Sequence, residues 1–205
     1  MRERTRSISP DKGISCRIFP DNWLGPINIP EIFPRIQPLE IDIGCGKGRF
    51  LLARASSNPE INYLGIDRML RRIRKVDRKA VRAGLNNVRL LRAEAYYAVS
   101  YLIPENSVSS YYIFFPDPWP KKKHHDHRLF NETFTDALHR TLKAGGHIHF
   151  SSDHSPYFNE VYKHIGRDPR FREIPAFIPS PEERTDFEII FEQKANISRV
   201  SLEKL

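Results

Sequence analysis

Cysteine is nearly absent from this chain of 205 residues. Cys16 and Cys45 are too few for a disulfide framework or a four-cysteine zinc site, and both are expected as reduced thiols. Long hydrophobic runs are missing as well. The longest apolar or aromatic run is about half a dozen residues around Tyr111 to Phe115, against the roughly 20 that a membrane-spanning helix needs. No transmembrane segment is expected. The charged start Met1-Arg2-Glu3-Arg4-Thr5-Arg6-Ser7 has no apolar stretch behind it of the kind a secretory leader requires, so the expected location is cytoplasmic. Acids are in deficit, with 25 Asp+Glu against 33 Lys+Arg and a formal net charge of +8. That excess points to a phosphate-rich partner more than to a small neutral metabolite, although an anionic membrane would satisfy the same charge. With 40% hydrophobic and 28% charged residues, the composition fits one globular domain with a full core and disfavours disorder.

Residues 1–38 read as a basic, proline-containing arm. Pro26, Pro30, Pro34 and Pro38 block a continuous helix through their fixed φ and missing N–H groups. Residues 39–205 read as the domain proper. There, short apolar runs alternate with longer amphipathic stretches, which is the signature of βαβ units. Strands are expected at Leu39 to Ile43, Tyr63 to Ile66, Val88 to Leu91, Ser110 to Phe115 and His147 to Ser151. Helices are expected at Arg49 to Ala55, Met69 to Ala83, Ala95 to Leu102, Leu129 to Leu142 and Tyr157 to Ile165, and Phe187 to Gln193 reads as an edge strand. The fold class is α/β, a doubly wound Rossmann-like sandwich on a mainly parallel sheet, with ligands at the carboxyl ends of the strands. The second helix bears Arg71, Arg72, Lys75, Arg78, Lys79 and Arg82. Such a charge run reads first as a solvated face, with an RNA-facing role as the alternative.

Asp42-Ile43-Gly44-Cys45-Gly46-Lys47-Gly48 closes the first strand and opens the first helix, where glycines let the backbone turn tightly and approach a ligand. A dinucleotide fingerprint would need its third glycine where Arg49 stands, which argues against a nucleotide-dependent oxidoreductase. A carboxylate two residues before the first glycine repels phosphate and suits a cationic ligand. Asp67 and Glu94 end the next two strands, so three acids reach one rim. The alternative for the acids is helix capping. The segment resembles motif I of class I S-adenosylmethionine-dependent methyltransferases. That resemblance implies ribose contacts for Asp67 and an adenine contact for Glu94.

After the fourth strand comes Phe114-Phe115-Pro116-Asp117-Pro118-Trp119-Pro120, held rigid by alternate prolines. Trp119 reads either as a base-stacking ring or as a packing residue. Lys121, Lys122, Lys123, His124 and Arg128 follow as candidate RNA contacts. Their histidines, like His147 and His149, read as packed or hydrogen-bonded more readily than as metal ligands. No metal is expected.

Together, Asp42 to Gly48, Leu64 to Asp67, Phe114 to Trp119, Ser152 to Tyr157 and Thr185-Asp186-Phe187-Glu188 resemble the bacterial tRNA (guanine-N7)-methyltransferases over roughly Leu39 to Glu192. The resemblance implies methyl transfer from S-adenosylmethionine to N7 of a guanosine at position 46, in the tRNA variable loop. It implies cofactor contacts at Asp42, Gly44, Gly46, Gly48, Asp67, Glu94 and Asp117, with Asp117 also catalytic. Substrate contacts are implied at Lys121, Asp153, Thr185, Asp186, Phe187 and Glu188. Asp126 and His127 interrupt a basic run that the family usually keeps continuous, and Asp186 stands where Lys is common.

Guanine N7 carries a lone pair and no proton, so a general base is unnecessary and Asp117 is expected to orient and to offset developing charge. Glu188 or Asp153 is expected to accept from guanine N1–H and N2–H₂, a donor pair adenine lacks. Two rivals remain at this stage: methylation of an exocyclic amine, whose acid-Pro-Pro-aromatic loop lacks its second proline here, and a silent RNA-binding module. The sequence specifies no oligomeric state.

Overall fold

Parallel pairing dominates the backbone. The computed structural model describes residues 15–121, 123–124, 128–191 and 196–205. Among these residues the strands are β1 (Arg17–Ile18), β2 (Leu39–Ile43), β3 (Asn62–Ile66), β4 (Val88–Leu91), β5 (Val108–Phe114), β6 (Leu142–Ser152), β7 (Phe171–Ile174) and β8 (Ser198–Lys204). They lie in the order β1-β4-β3-β2-β5-β6-β8-β7. The pairs from β1 through β6 are parallel, while β8 runs antiparallel between β6 and β7. Every position of β2 and β3 is buried, as befits strands covered on both faces by crossover helices. The expected doubly wound α/β class is therefore observed, with all five expected strands in it.

The helices are α1 (Ile29–Ile32), α2 (Arg49–Ser57), α3 (Leu70–Arg82), α4 (Ala95–Tyr97), α5 (Glu132–Thr141), α6 (Ser155–Ile165) and α7 (Asp186–Phe191), and α4 runs on as a π-helix over Ala98–Leu102. α5 starts three residues later than the apolar pattern suggested, because the Asn131 side chain accepts from the Phe134 N–H at 2.8 Å and caps the helix there. One core packs α2 and α3 against Tyr63, Val88 and Leu90. The larger core packs the π-helix, α5 and α6 against Ile41, Leu64, Ile66 and Ile113. Both cysteines are buried in the smaller core as free thiols.

Two expectations give way. The stretch before Pro38 is not wholly irregular: Arg17 and Ile18 pair with Leu90 and Leu91, and Ile18, Ile27 and Phe33 enter the larger core. Asp77 of α3 anchors this segment by accepting from the Ser15 hydroxyl at 3.0 Å and the Cys16 N–H at 2.7 Å. Residues 1–14 lie outside the described residues. The second correction concerns Phe187 to Gln193, which was expected as an edge strand. Asp186–Phe191 is a helix, and β7 and β8 form that edge instead.

Candidate functional site

Where β2 ends, the chain turns through three left-handed glycines, Gly44 (φ 77°), Gly46 (φ 54°) and Gly48 (φ 75°), before α2 begins. The turn is pinned from the side of β3. The N–H groups of Gly44 and Cys45 donate to the Ile66 carbonyl at 2.8 and 3.1 Å, and the Gly46 N–H donates to Asp67 Oδ2 at 3.1 Å. Lys79 of α3 donates to the Lys47 carbonyl at 2.8 Å. The loop is thus a preformed cradle, and it walls a cleft of about 230 Å³ whose other sides are Asp42, Arg72, Phe115, Asp186 and Phe187.

Asp42 sits in the floor of this cleft and is only 6% exposed. Among the described residues no hydrogen bond or ion pair reaches its carboxylate. Burial, and next the neighbouring charge of Asp67, push its pKa up to about 8. Asp67 is in the opposite situation. Its carboxylate accepts from the N–H groups of Gly46 and Met69 and pairs with Arg72 at 3.3 Å. Asp67 therefore serves first as a clasp between loop and helix, and Arg72, half-exposed, stands over it in the cleft wall.

The opposite wall is aromatic. Phe115 holds a positive φ of 52°, unusual for a residue with a side chain. Its ring stacks on Phe187 at 4.5 Å, and Phe187 stacks on Phe191 at 4.5 Å. α7 is held in place from below. Thr185 and Glu188 form a capping box: the Glu188 carboxylate accepts from the Thr185 N–H at 2.8 Å, and the Glu188 N–H donates to Thr185 Oγ1 at 3.1 Å. The other Glu188 oxygen pairs with Arg199 at 2.8 Å. Arg54 of α2, half-buried, bridges Glu40 at 3.4 Å, Glu183 at 3.3 Å and the Tyr112 hydroxyl at 3.1 Å, which ties the segment before α7 to the sheet. Arg49, at the place of the missing third glycine, donates to the Arg184 carbonyl at 3.0 Å.

The expected site residues therefore divide. Asp42, Gly44, Gly46, Gly48, Thr185, Asp186 and Phe187 share the cleft, and Asp67 clasps its rim. Glu94 does not line it. Both Glu94 oxygens accept from the N–H groups of Tyr96 and Tyr97, which is the helix-capping alternative. Asp117, two residues past Phe115, is exposed and outside the cleft wall, and Lys121, Lys123 and Asp153 are exposed as well. Trp119 (φ 42°) packs edge-on against His124 at 5.7 Å. Arg128, expected at a phosphate, is buried. It donates to the Pro118 and Trp119 carbonyls, pairs with Glu160 and lies 5.2 Å over the Tyr157 ring, so it holds the proline loop rather than facing solvent. Lys122, Asp126 and His127 lie outside the described residues. His149 is packed, with Nδ1 2.8 Å from Ser201 Oγ and its ring stacked on Tyr112. Among the described residues no group of three or more His, Cys, Asp or Glu is placed to hold a metal.

Glu188, expected to grip a base edge, is 5% exposed and already engaged at both oxygens. Glu188→Gln is accordingly expected to lower unfolding free energy by about 1–2 kcal/mol through loss of the charge facing Arg199. Urea denaturation checks this. Unchanged stability together with a raised KM for RNA would assign the carboxylate to substrate instead.

Residues 36–201 match a family model described as "Putative methyltransferase". A tRNA (guanine-N(7)-)-methyltransferase from Syntrophotalea carbinolica is 40% identical over 72% of this chain and 63% of its own length. One of the same name from Rubrobacter xylanophilus is 36% identical over 71% and 65%. A third, from Nitrosococcus oceani, is 33% identical over 86% and 75%. The chain thus spans just under two thirds of the length of the first two. Among solved structures, the 16S rRNA methyltransferase KamB superposes with a TM-score of 0.61 at 14% identity, covering 82% of this chain and 88% of that one. This last likeness concerns the fold.

Proposed function

Because this chain belongs to the tRNA (guanine-N7)-methyltransferase family, we propose that it methylates N7 of a guanosine in tRNA, at position 46 of the variable loop, using S-adenosylmethionine in the cytoplasm. The observation that carries the reading is the Asp42 carboxylate, buried without a partner in the floor of a glycine-walled cleft. A buried acid with no counter-charge is costly unless a cation joins it, and that chemistry fits the ammonium and sulfonium groups of S-adenosylmethionine.

When bound, S-adenosylmethionine supplies an electrophilic methyl group on a positively charged sulfur. Asp42 and the Gly44 to Gly48 backbone would hold it, with Asp67 at the sugar once Arg72 swings aside, and Glu94 beyond at the rim. The guanine would enter against Phe115 and Phe187, whose rings offer a flat apolar wall. Its N7 has nothing to deprotonate, so the chain's acids need only bind and orient. Asp117, on a loop braced by three prolines and clamped by Arg128, is assigned to orienting the base and offsetting the positive charge that gathers on it. With Glu188 engaged in the capping box, the exposed Asp153 is the acceptor left to assign to the guanine N1–H and N2–H₂ pair. Lys121, Thr185 and Asp186 complete the substrate rim.

Incubation with labelled S-adenosylmethionine and unmodified tRNA, followed by nucleoside analysis, tests the reading. 7-Methylguanosine is the expected product. Label on an exocyclic amine, or none in RNA, would overturn it.

A further inference from the structure

Arg71, Arg74, Lys75, Arg78 and Arg82 of α3 are all exposed, and among the described residues none has a hydrogen-bond or ion-pair partner. At 100° per residue they fall within an arc of roughly 100°, opposite the buried Ile73, Val76 and Ala80. A solvated charged helix face is ordinarily laced by opposite charges four residues apart. This one is not. Arg71 and Lys75, Arg74 and Arg78, Lys75 and Lys79, and Arg78 and Arg82 are all like-charged pairs at that spacing, and each disfavours the helix until something anionic lies across it. The single acid of the helix, Asp77, is engaged with Ser15, Cys16 and Arg17 and neutralises none of them.

The stripe also leads to the right place. Arg72, one residue from its first member, lines the cleft, and Lys79 touches the glycine loop. From Arg71 to Arg82 the face runs about 16 Å along the helix axis, the scale of a short stretch of nucleic-acid backbone. The proline loop, meanwhile, has lost Arg128 to the interior. We propose that the outer face of α3 is the surface on which the phosphodiester backbone of the tRNA lies while the target base enters the cleft. The proposal rests on the tRNA reading above.

Arg71→Glu, Arg74→Glu and Arg78→Glu together test it. The acids at 71 and 78 gain partners in Lys75 and Arg82 at helix spacing, while those at 74 and 78 replace one like-charged pair with another, so the fold is expected to persist with a melting temperature little changed. Fluorescence anisotropy against tRNA is expected to show affinity reduced about 30-fold or more, and a salt slope shallower by about 2–3, at 0.7–0.9 per lost contact. Calorimetric affinity for S-adenosylmethionine should stay within about two-fold of the parent. If the parent binds tRNA and the variant matches its affinity and slope, the surface assignment is overturned while the functional reading stands. If the parent binds no tRNA, the functional reading itself fails. Loss of binding to phosphatidylserine vesicles without loss of tRNA binding would make this a membrane face and overturn the proposal.

Discussion

Asp42→Asn is expected to make the ligand-free protein more stable and nearly unable to bind S-adenosylmethionine. The two effects share one cause. In the folded chain the carboxyl is buried without a partner and its pKa is about 8, whereas in the unfolded chain it titrates near 3.9. The folded state therefore binds the proton more tightly. Its contribution to stability is fully present below about pH 4, declines as pH rises, and is gone above pH 8. Asn carries no charge to bury. The stability advantage of the variant should widen from pH 5 to pH 8.5, reaching on the order of 3–5 kcal/mol. For a domain of this size that is a rise in melting temperature of several degrees. Scanning calorimetry at both pH values checks it, and an advantage that narrowed with rising pH would contradict the burial argument.

Binding should respond in the opposite sense. Loss of a buried charge that faces a cation costs about 2–5 kcal/mol, roughly a 30-fold weaker affinity at the least. In the parent, ionised Asp42 is the binding form, so affinity for S-adenosylmethionine should climb toward pH 8 and level off, while the Asn variant stays flat. Isothermal titration across pH 6 to 9 separates the two profiles. A parent profile as flat as that of the variant would remove Asp42 from the cation site.

The parts of this site that could be read in the sequence are those made by neighbours in the chain. Asp42 to Gly48 is one continuous strand-to-helix turn, so residue type and spacing suffice. The strands were legible because they carry short apolar runs, as Tyr111 to Phe114 is in β5, or alternate apolar residues, as Leu39, Ile41 and Ile43 do in β2. Glu94 and Glu188 read as ligand contacts because nothing in a residue's identity tells a carboxylate that faces a cleft from one that caps a helix. The Thr185-to-Glu188 spacing is nevertheless a capping-box signature, which marks the start of a helix where an edge strand was expected. Arg128 was illegible for a different reason. Its partners Glu160 and Tyr157 lie about thirty residues away, and only the docking of α6 brings them under the proline loop. Arg54 belongs to the same class, since Glu40, Tyr112 and Glu183 come from three separate segments.

The three glycines of the cradle are not equivalent, and substitution by alanine should sort them. A Cβ at Gly44 would meet nothing within 4 Å, and one at Gly46 only the Gly44 carbonyl at 3.7 Å, so both positions pay for their left-handed φ alone. That is about 1–2 kcal/mol each. At Gly48 the added carbon would lie 2.6 Å from Val76 Cγ1 and 2.8 Å from Cγ2, on the buried side of α3. Steric overlap adds about 1–3 kcal/mol to the strain, for a total of roughly 2–5 kcal/mol. A melting temperature lower by about 5–15 °C is expected. The two contributions can be separated. Val76→Ala removes both clashing methyl groups, so combined with Gly48→Ala it should recover the overlap and leave the φ strain, whereas alone it opens a cavity and destabilises. A double-mutant cycle would then show favourable coupling of about 1 kcal/mol or more. Strictly additive effects would mean that α2 can shift away from α3 and that the third glycine is held by backbone conformation alone.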